Sequence, residues 1–215
     1  MRSLAITSRG RSLKVLCLGA HSDDIEIGCG GTVLTLIASQ PGIEFDWVVL
    51  SALGVRRLEA EAGASAFLSG APRASVTVDE FRDGYFPYAG AGIKDWFEGL
   101  KRSVDPDLVL THHRRDLHQD HRLVSELTWN TFRDHLVLEY EVPKYDGDLG
   151  APNVFVPLDE KAYRTKVETL LAVFKTQSGN AWFTADAFQA LMRLRGVESN
   201  APSGHAEAFY GRKLV

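Results

Sequence analysis

Apolar runs and amphipathic stretches alternate along the first two thirds of the chain. KVLCLG at 14–19 is apolar at odd and even positions alike, the pattern of a strand covered on both faces. GGTVLTLIAS at 30–39 predicts a helix stopped by Pro41 and Gly42. A second strand is predicted at 44–51, an alanine-rich helix at 56–68 and a short third strand at 74–78. A loop rich in aromatic residues and glycine follows at 79–92. Helical spacing returns at 93–104, a strand at 107–111, a helix at 121–135 and a strand at 136–141. This alternation predicts an α/β fold, Rossmann-like, with a largely parallel sheet and helices on both faces. Beyond Val142 the pattern loosens into an edge strand at 153–158 and two amphipathic helices at 159–174 and 184–196.

The length of 215 residues suits a single domain, 1–215, with residues 1–12 read as a flexible leader. A formal charge of −4 leaves no basic footprint for nucleic acid, so no nucleic-acid partner is expected. No apolar run reaches the roughly 18 residues of a membrane span, and no segment resembles a secretion signal. Cys17 and Cys29 read as buried free thiols, and a cytoplasmic location is expected.

The chemistry concentrates in two loops. GAHSDDIEIG, after the first strand, carries His21, Asp23, Asp24 and Glu26. HHRRDLHQDH, after the 107–111 strand, carries His112, His113, Asp116, His118, Asp120 and His121. Five of the seven histidines therefore fall in two segments, each leaving the carboxyl end of a strand. Open α/β sheets bind ligands beyond those ends. A catalytic zinc takes three ligands from His, Asp and Glu and leaves one position open. A second carboxylate beside it suits proton transfer, and adjacent aspartates suit that division of labour. The same residues admit plainer readings: Asp120 caps a helix, and the glycines of GCGG serve close helix–sheet packing.

GAHSDDIEIGCGG resembles the AHPDDxxxGxGG signature of the LmbE-like, or PIG-L, deacetylases, and DLHQDH resembles their HPDH signature. RRLEAEAGASAFL, RDGYF, PDLVLTHH and AEAF are similar to further family segments in the same order. The resemblance implies a zinc-dependent hydrolase that removes the N-acetyl group of an amino-sugar conjugate. It implies His21, Asp24 and His121 as metal ligands, Asp23 as general base and His118 as the group facing the tetrahedral intermediate. Arg56 falls in the family's arginine slot and is expected at the substrate. Asp83, in a turn-forming Asp-Gly, and Arg195 are read as further substrate contacts, and Asp120 as a partner of a metal-bound histidine. Each has a simpler alternative: an Arg56–Glu59 ion pair, a turn at Asp83, a solvated helix face at Arg195. Tyr85, Phe86 and Tyr88 are candidate stacking residues. Ser22 and Gln119 replace two prolines that bind no metal. Residues 143–215 form the variable, substrate-side region, and a homo-oligomer, trimer or hexamer, is implied.

Two histidines and a carboxylate suit ferrous iron as well as zinc. Two rivals stand beside this reading. One is a nucleotide-dependent, methyltransferase-like transferase using the glycine-rich first loop, although Asp23 and Asp24 would repel a pyrophosphate there. The other is a non-catalytic sugar-binding module, which needs no base beside a metal.

Overall fold

The computed structural model describes residues 11–213, so residues 1–10 of the expected leader lie outside the described residues. Strands β1 (Lys14–His21), β2 (Glu44–Ser51), β3 (Arg73–Val78), β4 (Leu108–His112) and β5 (Leu136–Tyr140) alternate with helices α1 (Asp24–Ser39), α2 (Val55–Phe67), α3 (Gly90–Ser103) and α4 (Gln119–Thr131). β6 (Val154–Pro157), α5 (Glu160–Val173), α6 (Ala185–Glu198) and β7 (Ala206–Gly211) follow. The sheet order is β3-β2-β1-β4-β5-β7-β6. β1 to β5 run parallel, and β7 is antiparallel to both β5 and β6. The chain order reverses between β1 and β4, which opens a crevice at their carboxyl ends.

Two cores sandwich the sheet. One packs Trp47, Phe67, Tyr140 and Phe174 beneath α1, α2, α5 and α6. The other packs Phe86, Phe97, Phe132 and Val124 beneath α3 and α4. Both faces of the parallel strands are thus covered, as their apolar runs require.

Two features depart from the sequence pattern. α1 begins at Asp24 rather than at residue 30, with Asp24 and Glu26 in its first turn, where acidic residues complement the helix dipole. Cys29 breaks the helix with φ −145° and ψ 15°. The backbone N–H groups of Gly31 and Thr32, freed beyond the break, donate to the buried Glu207 carboxylate at 2.8 and 2.6 Å. Lys166 neutralises that carboxylate at 2.5 Å. The second departure is β7 itself, which carries Glu207. Sequence pattern assigned no strand there, yet it inserts between β5 and β6.

Candidate metal centre

β1 ends at His21 and β4 at His112, side by side in the sheet. The chain leaving β1 enters α1 at Asp24, and the chain leaving β4 enters α4 with His118 as its N-cap. The two chemical segments therefore meet. His21 Nδ1 lies 3.2 Å from His121 Nε2. The Asp24 carboxylate places Oδ2 3.3 Å from His21 Nδ1 and Oδ1 3.4 Å from His121 Nε2. A tetrahedral zinc with ligands at about 2.0–2.1 Å requires ligand atoms about 3.3–3.4 Å apart. The donor set and its spacing fit such an ion. The ligand atoms of Asp24, His112 and His121, of His21, His118 and His121, and of His21, Asp83 and Asp120 also lie within 4.8 Å of one another. Within the His21–Asp24–His121 set the separations of 3.2–3.4 Å match a tetrahedron's edge.

Each ring is held from behind. His121 Nδ1 lies 3.0 Å from Asp116 Oδ2, and His21 Nε2 lies 3.2 Å from Asp120 Oδ2. Carboxylates at the far nitrogens hold the hydrogens there and leave the facing nitrogens as lone pairs. Asp116 also accepts the His118 N–H at 2.8 Å and pairs with Lys144 at 2.9 Å. Asp120 accepts the N–H groups of Gly84 and Phe86 at 2.6 and 3.1 Å, and so ties the aromatic loop to the same helix. Gln119 donates to the Gly84 carbonyl at 3.1 Å. Gly84 has φ +76°, a conformation that excludes most side chains.

The charge balance favours a cation. Burial alone lowers the affinity of His21 and His121 for protons, yet their carboxylate neighbours outweigh it and raise both pKa values. Burial likewise pushes Asp24 up, but His121, His112 and His21 hold it well below the usual carboxylate range. Positive charge is drawn to this point as protons or as a metal ion. His112 is the exception. Burial, then His121, lowers its pKa to about 4, so it is neutral. It accepts the Ala20 N–H at 2.9 Å and stacks on His121 with ring centroids 3.9 Å apart.

Asp23 sits beside this cluster, 4 % exposed. Its Oδ1 accepts from Arg56 Nη2 at 2.9 Å, while its buried Oδ2 has no hydrogen-bond partner among the described residues. Burial raises its pKa, Arg56 counters, and Asp24 adds to the rise. Arg56 reaches on to Thr176 at 3.2 Å and Glu59 at 3.5 Å. His118 is half-buried, and its Nδ1 accepts the Asp120 N–H at 3.3 Å. In the neutral ring this leaves Nε2–H as a donor for a ligand.

The sequence profile of the PIG-L family, described as GlcNAc-PI de-N-acetylase, matches residues 16–132, more than half of the chain. The chain belongs to the PIG-L family. The match runs from β1 through α4 and contains both loops of the cluster. Membership makes this PIG-L chain an enzyme of the N-deacetylase class. Solved structures with the same fold include N,N'-diacetylchitobiose deacetylase from Pyrococcus horikoshii, at 20 % identity and TM-score 0.70, covering 93 % of this chain and 83 % of that one. The conserved protein TT1542 from Thermus thermophilus aligns at 21 % identity and TM-score 0.75, covering 94 % and 96 %. GalB, the 4-carboxy-2-hydroxymuconate hydratase from Pseudomonas putida, aligns at 19 % identity and TM-score 0.73, covering 94 % and 98 %. A hydratase among them shows that the architecture carries more than one reaction. A comparison with curated proteins gives no significant match.

Within the PIG-L chain, His21, Asp23, Asp24, His118, Asp120 and His121 come together as one cluster. Asp83 stands at its mouth, 75 % exposed, with Oδ1 3.1 Å from His21 Nε2. Arg56 touches Asp23 rather than open solvent. Arg195 is a correction. It is 4 % exposed, its guanidinium grips both oxygens of Glu141 at 2.8 and 2.9 Å, and it also bonds Glu198 and the Gly150 carbonyl. Those bonds occupy its donors, so it does not face a substrate. Phe86 is fully buried and unavailable for stacking, whereas Tyr85 and Tyr88 are exposed. The glycines of the first loop form no phosphate cradle. A Cβ at Gly28, Gly30 or Gly31 would lie 2.1 Å from Tyr140, 2.4 Å from Phe67 or 2.5 Å from Leu158. They serve close packing, which removes the support for the transferase reading. Asp116 belongs to the second chemical segment, and its role behind His121, with Lys144 beside it, is visible only in the fold. Asp116 lies five residues before His121, in the same histidine-rich segment. Among the described residues no helix is long and apolar enough to cross a membrane.

Proposed function

We propose that this chain is a zinc-dependent hydrolase that removes the acetyl group from an N-acetylated amino-sugar conjugate and releases the free amine and acetate. His21, Asp24 and His121 would hold the ion. One observation carries the reading: two imidazole nitrogens and one carboxylate converge at 3.2–3.4 Å, beside a buried carboxylate with one oxygen unused. Zinc, when bound, supplies Lewis acidity that acidifies water and polarises the acetyl carbonyl.

Asp23 Oδ2 takes the proton of the attacking water, and its raised pKa suits a base that must later give the proton up. Arg56 holds Oδ1 and so fixes which oxygen faces the water. His118 Nε2–H donates to the oxygen that gains charge as the carbonyl becomes tetrahedral. Burial and the two neighbouring histidines lower the His118 pKa, which keeps the ring neutral and still a donor. The proton then passes to the departing nitrogen as the C–N bond breaks. Asp120 and Asp116 hold the ligand rings in place. Asp83 and the exposed rings of Tyr85 and Tyr88, at the mouth of the cluster, would meet the sugar.

The test is a screen of acetylated glycosides and nucleotide sugars for primary-amine product, with and without chelator. Metal-dependent amine release from at least one acetylated amino sugar is expected. Amine release that persists after chelation, with no metal bound to the protein, would overturn the zinc assignment. Absence of amine product across the panel with the ion fully loaded would overturn the substrate class.

A further inference from the structure

The two ligand histidines are backed by carboxylates of unlike charge balance. Behind His21, Asp120 is met by neutral backbone donors, the N–H groups of Gly84 and Phe86 at 2.6 and 3.1 Å. No lysine or arginine among the described residues pairs with it. Behind His121, Asp116 meets a full positive charge. Its Oδ2 lies 3.0 Å from His121 Nδ1 and 2.9 Å from Lys144 Nζ, so one oxygen serves a ligand ring and an ammonium group together. Its Oδ1 accepts the His118 N–H at 2.8 Å.

Lys144 comes from the loop between β5 and β6, far along the chain from either chemical segment. Its Nζ also lies 2.6 Å from Asp148 Oδ2, and that oxygen accepts the Leu117 N–H at 2.7 Å. The loop is thereby fastened to the second segment at two points. Little of this reaches water: the side chains of Lys144, Asp148 and Asp116 are 10, 7 and 3 % exposed. Charges placed so deep are poorly screened, and each acts on the others more strongly than it would at the surface. A carboxylate at the far nitrogen of an imidazole makes the facing nitrogen a stronger electron donor. An ammonium group on the same carboxylate oxygen draws that charge back.

We propose that Lys144 sets the electrophilicity of the metal centre through Asp116 and His121. It holds back the charge that Asp116 lends to the ring, so a bound ion is gripped less tightly and stays a stronger Lewis acid. This holds on the zinc reading above. Lys144 touches neither a ligand atom nor a reacting atom, so it is a positioning residue. Asp148 works in the opposite sense, because its carboxylate takes part of the ammonium's charge and limits the pull on Asp116. A lysine that only pinned the loop would behave differently. Its loss would loosen His121 and weaken the binding of cations and anions together. Loss of its charge strengthens the hold on a cation and weakens the hold on an anion.

Two equilibrium measurements on the intact chain test this. Zinc affinity is read by competition with a chromogenic chelator, and acetate affinity from the visible absorption of the cobalt(II)-loaded protein. Lys144→Met is expected to bind zinc about tenfold more tightly and acetate about tenfold more weakly than the wild type. Lys144→Gln keeps an N–H donor without the charge, and carries the same test if the methionine variant fails to fold. Lys144→Arg keeps the charge and should hold both affinities near the wild-type values. Asp148→Asn should move both the other way, zinc weaker and acetate tighter by about threefold. Zinc and acetate affinities that fall together on loss of the lysine charge reduce Lys144 to a clasp and overturn its tuning role. Affinities that do not move overturn it equally. A wild type that takes up neither zinc nor cobalt overturns the metal reading itself, and the role of Lys144 with it.

Discussion

Asp23→Asn separates catalysis from metal binding in one atom. Asparagine keeps the volume and can still accept from Arg56 through its oxygen, so the 2.9 Å contact survives. What it loses is the proton-accepting character of Oδ2, the buried oxygen without a partner. General-base catalysis contributes about 10²–10⁴-fold, so kcat should fall by that factor, about 2.7–5.4 kcal/mol in barrier height. Metal content should be unchanged, because the converging atoms belong to His21, Asp24 and His121. Stability should move the other way. Burial raises the Asp23 pKa above its unfolded value, so the folded state binds more protons than the unfolded chain between those two values. Ionisation above the unfolded pKa therefore costs the wild type stability that the asparagine variant does not lose. In chelated protein the variant's thermal midpoint should equal that of the wild type at low pH. It should exceed it increasingly as pH rises from the ordinary aspartate pKa through the raised one. The assays are amine release, metal-to-protein ratio and thermal melts across pH. A variant that turns over at the wild-type rate, or that loses its metal, would refute the assignment of Asp23.

Three further outcomes follow from the same geometry. His121→Ala should purify without stoichiometric zinc, because one of three converging donors is gone; full occupancy by elemental analysis would exclude it as a ligand. Asp120→Ala removes the acceptor behind His21 and the tether of Gly84 and Phe86, so metal affinity should fall about 10–100-fold and limited proteolysis should cut within 81–88; an unchanged affinity by competition with a chromogenic chelator would contradict this. Arg195→Met strands the buried Glu141 and should destabilise the chain by about 3–5 kcal/mol in urea titration while leaving KM unchanged; a rise in KM with stability intact would return Arg195 to the substrate.

Much of this was legible in the residues. Hydrophobic periodicity located the five parallel strands and six helices to within a few residues at most ends, because strand and helix periods are properties of neighbouring positions. The pattern starts the first helix at Gly30, six residues late, because DDIEIGCG at 23–30 has polar residues and glycine where helical spacing would show. Gly28, Gly30 and Gly31 are helical here since Tyr140, Phe67 and Leu158 press against them and leave no room for a Cβ. β7 was missed because its six residues carry a buried glutamate, and nothing nearby in sequence shows that Lys166 and two freed N–H groups await it. Arg195 misled for the same reason: on a helix it looks solvated, and only the fold brings Glu141 to it.

By itself the sequence determined the alternating architecture, the two chemical segments and the kinds of donor they hold. It also placed both segments at the carboxyl ends of strands, since each directly follows an apolar run. The tertiary structure alone decided that β1 and β4 are neighbours, that His21 Nδ1 and His121 Nε2 face each other, and that Asp116 and Asp120 stand behind them. The reason is distance along the chain. Local periodicity is written within a few residues, whereas His21 and His121 lie 100 positions apart, and strand order decides whether they meet.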